Sequence, residues 1–159
     1  MVARCSWRAV YARADALRSC GECSACCTVL AVNALGKPAD TACPHECSGC
    51  AIYESRPAGC RSYRCAWLDG ELSHDDRPDG LGLVVDSGSS NIFESMWGQR
   101  ARVARELWPG GGAAVVADMV SSGRPVMLRR HGGGVEFQTS DPALLERYNE
   151  MQQLFEGTT

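Results

Sequence analysis

No stretch of this sequence approaches the ~20 consecutive apolar residues of a membrane span. The early arginines Arg4 and Arg8 are followed by no apolar core of a secretory signal, because Arg8, Arg13, Asp15 and Arg18 interrupt the place where one would lie. Positive charge is also short. The net charge is −3 and the pI about 5.6, whereas non-specific binding to nucleic acid or an anionic membrane favours a basic surface. There is no internal repeat and no low-complexity tract. The glycines at 110–112 and 132–134 lack the strand-then-helix spacing of a phosphate loop, and no serine or cysteine nucleophile stands in a motif with an identifiable base. Large apolar residues are scarce between Gly21 and Cys50, and no cysteine lies beyond Cys65. These absences point to the cytoplasm, where thiols stay reduced and cysteine clusters bind metal more often than they form disulfides. They leave a metal ion and a protein as the expected partners, with no nucleic acid and no membrane.

What the chain does hold is ten cysteines, all between Cys5 and Cys65. The densest run is Cys20-Gly-Glu-Cys23-Ser-Ala-Cys26-Cys27. Two thiolates three positions apart on a tight turn can face one cation, and overlapping pairs build a chelating knuckle. A disulfide framework fits less well, since Cys26-Cys27 beside two x2 spacings is awkward to bridge. Cys26 continues the phase of Cys20 and Cys23. Cys27 breaks it and is expected to face Cys50, Cys60 or Cys65.

Around the cysteines the chain reads as short elements. Ser6 to Arg18 has Trp7, Val10, Tyr11, Ala14 and Leu17 at helical spacing behind a capping serine, and Gly21 ends it. Residues 28–32 are β-branched and apolar, a short buried strand. Residues 33–50 are polar loop. Residues 60–68 form a short helix, and 69–80 an exposed acidic turn region. Strands follow at 81–85, 91–97 and 103–107, then a helix at 113–121. Residues 125–130 and 135–139 make a hairpin across His131 and three glycines. Asp141-Pro142 caps and starts a last helix reaching about Phe155. The fold class is α+β: one small domain over 1–159, in which a cysteine-rich, metal-organised N-terminal half (20–68) packs on a short antiparallel sheet with flanking helices. The cysteine-free part spans 81–139 and the C-terminal helix 141–156.

The knuckle is followed by Gly49-Cys50-Ala-Ile-Tyr53-Glu54-Ser-Arg56-Pro57-x2-Cys60-Arg61-x-Tyr63-x-Cys65-x-Trp67-Leu68. Together these resemble the YkgJ-type cysteine-cluster family, described as a zinc- or iron-chelating domain with a CxxCxxCC signature. Flagellin lysine N-methylases carry a similar cluster. The likeness continues through Arg77-Pro78-Asp79, Val103-Ala-Arg-Glu106, Pro109-Gly110 and Gly123-x-Pro125-Val126, so it covers most of residues 20 to 130. It implies Cys20, Cys23, Cys26, Cys27, Cys43, Cys50, Cys60 and Cys65 as metal ligands. Cys5 and Cys47 fall outside the pattern and are expected to be free thiols, with Cys47 able to replace a neighbour. The family's role implies a site rather than a reaction.

Eight thiolates admit two arrangements. They make two tetrahedral zinc sites, or Cys20, Cys23 and Cys26 hold three corners of a [4Fe–4S] cluster whose fourth is a remote cysteine such as Cys43, which precedes Pro44. Four thiolates on one zinc carry a charge of roughly −2, which Arg56, Arg61 and Arg64 would offset; their alternative use is to bind an anionic substrate. Tyr53, Tyr63 and Trp67 read as packing around the cluster in preference to substrate stacking. His45 could be a ligand but reads as a solvated loop residue. His74, Asp75 and Asp76 read as an exposed turn in preference to a hard-metal cluster. The expected function is a metal-binding protein whose site is structural, or stores or senses metal. The alternatives are an iron–sulfur redox or protein-modifying enzyme, and a zinc-stapled protein-interaction module.

Overall fold

The computed structural model describes residues 18–87 and 100–156. The expected helix up to residue 17 and the expected strand at 91–97 lie outside the described residues. The cysteine-rich half is made of short pieces: helix α1 (Ala25–Val29), the 3-10 turns Asn33–Leu35 and Tyr53–Ser55, α2 (Ala58–Ser62) and α3 (Pro78–Leu81). Then come β1 (Leu83–Val85), β2 (Arg102–Glu106), α4 (Ala113–Ser121), β3 (Val126–Arg129), β4 (Val135–Gln138) and α5 (Pro142–Glu156).

The fold is α+β. Its four strands stand in the order β1-β2-β3-β4. The sheet is mixed and not antiparallel throughout: β1–β2 and β3–β4 are antiparallel, but β2 and β3 run parallel. The cause is α4, which lies between β2 and β3 and carries the chain back so that β3 enters in the direction of β2. The expected hairpin holds, with Arg130 N–H donating to Gly134 O at 3.1 Å and Gly133 N–H to Arg130 O at 3.1 Å.

Strand alternation divides the apolar residues between two faces. Leu83, Val85, Ala104, Val126 and Leu128 pack against Val116 and Met119 of α4. On the other face Val84 meets Ala25 and Val29 of α1. Along that same face Met127 and Phe137 meet Leu144 and Tyr148 of α5. The cysteine half and the last helix thus share one side of the sheet. The N-terminus of α5 is capped as expected, since Asp141 Oδ1 accepts the N–H groups of Ala143 at 3.0 Å and Leu144 at 3.3 Å.

Two local readings change. Residues 28–32 do not form a strand: Thr28 and Val29 belong to α1, and Leu30 N–H donates back to Cys26 O at 3.2 Å. Burying Val29 against Val84 outweighs the weak β preference of a β-branched residue. The helix expected over 60–68 ends at Ser62. Beyond it, residues 64–66 are drawn onto the outer edge of β1, where Ala66 N–H donates to Val85 O at 2.8 Å and Ser87 N–H to Arg64 O at 3.1 Å.

The turn before α4 explains its glycine run. A Cβ on Gly111 would lie 2.1 Å from the carbonyl oxygen of Gly82, so backbone would have to move. Gly111→Ala is expected to lower stability by about 1–3 kcal/mol. Gly80→Ala, whose Cβ meets nothing within 4 Å, should stay within about 0.5 kcal/mol of the parent. Urea denaturation of both variants checks this, and equal midpoints would refute the close approach.

Candidate metal centre

The knuckle begins with a turn in which Gly21 has φ +53° and Cys23 N–H donates to Cys20 O at 2.8 Å. It runs into α1, whose residues include Cys26 and Cys27. Neighbouring side chains on a helix leave the backbone about 100° apart, yet these two sulfurs stay within hydrogen-bonding reach of each other. A second stretch folds back on the knuckle. Cys43 N–H donates to Cys27 O at 3.0 Å, Glu46 N–H to Cys43 O at 3.0 Å, and Tyr53 N–H to Cys50 O at 3.2 Å. Glu46 and Cys50 form an isolated antiparallel bridge. Ser48 at φ +57° and Gly49 at φ +132° provide the reversal between them. Cys65 arrives on the edge of β1, bridged to Asp86. It packs with Cys23 and Tyr63 against the cluster of Ala25, Val29 and Val84.

All eight cysteines of the expected ligand set carry free thiols and are partly buried. Cys47 does not: it is disulfide-bonded, which corrects its reading as a free thiol. Spacing along a chain shows which cysteines share a turn, not which distant sulfur comes within bonding reach. Cys5 lies outside the described residues. Among the described residues no three His, Cys, Asp or Glu side chains converge closely enough to hold a metal ion as they stand.

The thiols nonetheless influence one another. Burial pushes Cys20 up, a Cys65 thiolate adds to this, and the Arg56 guanidinium opposes it. Burial also pushes Cys23 up to about 11; the Asp79 carboxylate contributes, while the N–H groups of Ala25 and Asp79, aimed at its sulfur, pull the other way. Cys60 is raised by burial and by Cys27, Cys43 and Cys50, again against Arg56. Cys26 donates a hydrogen bond to Cys27, which raises Cys26 and lowers Cys27. Burial and Glu46 work against the Cys27 thiolate, while Lys37 and Arg56 favour it.

The three arginines of the sequence reading therefore differ. Arg56 faces the thiols, its guanidinium stacked 3.7 Å over the Tyr53 ring. Its buried Nε has no hydrogen-bond partner among the described residues. Arg61 turns back to the carbonyl of Arg56 at 2.9 Å. Arg64 binds Asp69 and the carbonyl of Leu68. Tyr63 is a brace: its hydroxyl donates to Asp86 Oδ1 at 2.7 Å, and Arg105 donates to the same oxygen at 2.7 Å. Trp67 is buried and donates to the carbonyl of His74 at 3.0 Å. His74 and Asp75 are exposed, with side chains 84% and 98% accessible, which suits a surface turn. His131 lies in the hairpin turn, its N–H bound to Glu106 Oε2 at 3.0 Å. His45 joins no group of three donors.

Sequence reasoning missed Lys37. It is the only lysine of the chain and is 4% exposed. Its Nζ donates to the carbonyls of Thr28 at 3.1 Å and Pro38 at 3.0 Å, and also to Leu30. This ammonium closes the C-terminal end of α1, beside Cys27. Its singular occurrence in a polar loop was the one available hint.

Comparison with protein-family models, with curated proteins and with solved structures returned no match. Among the described residues no helix is long and apolar enough to cross a membrane.

Proposed function

We propose that this chain is a metal-binding protein of the YkgJ type that holds zinc or iron through Cys20, Cys23, Cys26, Cys27, Cys43, Cys50, Cys60 and Cys65. The observation that carries this reading is that these eight thiols are all free and are brought into mutual influence, while the ninth described cysteine is oxidised. The donor set fits a soft or borderline cation in kind. Closing on an ion needs side-chain movement from the arrangement described. The bound metal would neutralise the repulsion among thiolates and stabilise a half built of very short helices, so the role is structural, with storage or sensing of metal open to the same site.

A cytoplasmic location suits eight free thiols; the disulfide at Cys47 is the exception in that setting. The iron–sulfur alternative uses Cys20, Cys23 and Cys26 with a remote cysteine such as Cys43 as the fourth corner.

Metal analysis with an absorption spectrum on anaerobically purified protein tests the reading. Stoichiometric zinc with no visible absorption is expected for the tetrathiolate form, and a brown protein with iron and inorganic sulfide for the cluster form. Protein that retains no metal and takes none up from solution would end both.

A further inference from the structure

We infer that Cys47 is joined to Cys5, and that this bond is a reversible thiol–disulfide site tying the N-terminal segment to a hairpin tip. The chain has ten cysteines. Eight of them carry free thiols, and Cys47 is disulfide-bonded. Cys5 is the one cysteine left to supply the other sulfur. It lies outside the described residues, so elimination alone names it. The two are also the pair that the eight-cysteine signature leaves over. The bond stands whether or not the eight thiols hold a metal.

Cys47 is presented by a tightly turned tip. Glu46 and Cys50 form the bridge below it, and Ala51 N–H donates to His45 O at 2.8 Å. Cys47 N–H donates to Gly49 O at 3.2 Å. Ser48 N–H donates to Glu46 Oε1 at 3.1 Å. Glu46 and Ser48 are exposed on either side and Cys47 is half-buried, so the tip is open to a small thiol. Cys43 and Cys50 are its nearest cysteines along the chain, yet both stay reduced. The bond reaches a remote segment instead. One disulfide among eight thiols is the pattern of a reversible bond, because surroundings that oxidise permanently would not spare the neighbours.

The ring closed by the bond contains Cys20, Cys23, Cys26, Cys27 and Cys43 and leaves Cys50, Cys60 and Cys65 outside. A separate contact holds the ring elsewhere. Arg18 donates to the carbonyls of Trp67 at 2.6 Å and Leu72 at 2.9 Å, and its guanidinium lies 5.2 Å from the centre of the Trp67 ring. Opening the bond therefore unties the hairpin tip from the chain before Arg18 and leaves the Arg18 anchor in place. Closure takes two protons and two electrons from the Cys5 and Cys47 thiols as their S–S bond forms. The acceptor is a low-molecular-weight disulfide such as glutathione disulfide, whose own S–S bond breaks to give two thiols. Excess of the same thiol reverses the exchange.

The test is thiol mapping on the full-length chain purified without reductant. Free thiols are alkylated in denaturant and the digest is read by tandem mass spectrometry. A peptide containing Cys5 should be linked to one containing Cys47, with the other eight cysteines alkylated. Alkylated Cys47, a bond from Cys47 to any other cysteine, or Cys47 joined to a second copy in a covalent dimer would overturn the pairing. Equilibration across glutathione buffers should then show one two-electron transition, in which Cys5 and Cys47 become alkylatable together. Hydrogen exchange should report a loss of amide protection at residues 46–50 over the same range, with the sheet unchanged. Cys5→Ser should abolish the transition and leave Cys47 alkylated throughout. A bond that resists excess glutathione, or opens with no loss of protection at 46–50, would overturn its role as a reversible tie.

Discussion

Stripped of the proposed metal by a chelator under argon, with no added reductant so that the disulfide at Cys47 persists, the protein is expected to lose amide protection across residues 20–65. The sheet and α5 should keep theirs. The helices of the cysteine half have five, five and four residues, whereas isolated helices shorter than ~12–15 residues are marginal in water. Their apolar anchor is small: Ala25 and Val29 against Val84. Thiolate–metal bonds in small domains contribute on the order of 10–16 kcal/mol, far more than that patch can. The sheet has its own cluster around Leu83, Val85, Val126 and Leu128 and does not depend on sulfur. Hydrogen exchange with mass spectrometry reads the difference. Unchanged protection over 20–65 after complete removal of metal would show that the half folds without it.

Lys37→Ala is expected to cost on the order of 3 kcal/mol, because a buried acceptor left without a donor costs about 1–3 kcal/mol and this ammonium serves the carbonyls of Thr28, Leu30 and Pro38. Lys37→Met separates packing from hydrogen bonding. It retains an apolar stem of similar length but offers the carbonyls nothing, so most of the loss should remain. The change should also weaken metal uptake, since the carbonyls concerned hold the end of the helix that carries Cys26 and Cys27. Denaturant midpoints and cadmium affinity measured on both variants check this. A methionine variant as stable as the parent would mean that the charge, once buried, costs as much as its hydrogen bonds return.

The cysteine-free half was legible because its cues are local. Asp141-Pro142 is a cap that needs only its own helix, and the His131 turn with its three glycines needs only its two strands. The direction of β3 was not legible from strand patterns, because it depends on where α4 returns the chain. The eight thiols were picked out by spacing and by likeness to a known signature, and all eight are free. The state of Cys47 and the company of Cys65 depend on contacts between distant segments, which spacing does not encode. Residues 28–32 misled for a related reason: a β-branched run says that a segment is buried, but its partner decides its shape. Lys37 escaped notice because a lysine in a polar loop reads as solvated until its ammonium is seen among carbonyls.

The seating of residues 64–66 on β1 has a consequence beyond holding Cys65. β1 is the first strand of the sheet, and bare outer strands offer their amides to any other chain that can extend alongside. Here the segment carrying Cys65 occupies that border, with Tyr63 and Arg105 fastened to Asp86 behind it. Anything that unseats Cys65 uncovers the margin of the sheet as well. Loss of the proposed metal would then be felt as a loss of solubility, through strand-to-strand association between molecules, before the sheet itself unfolds.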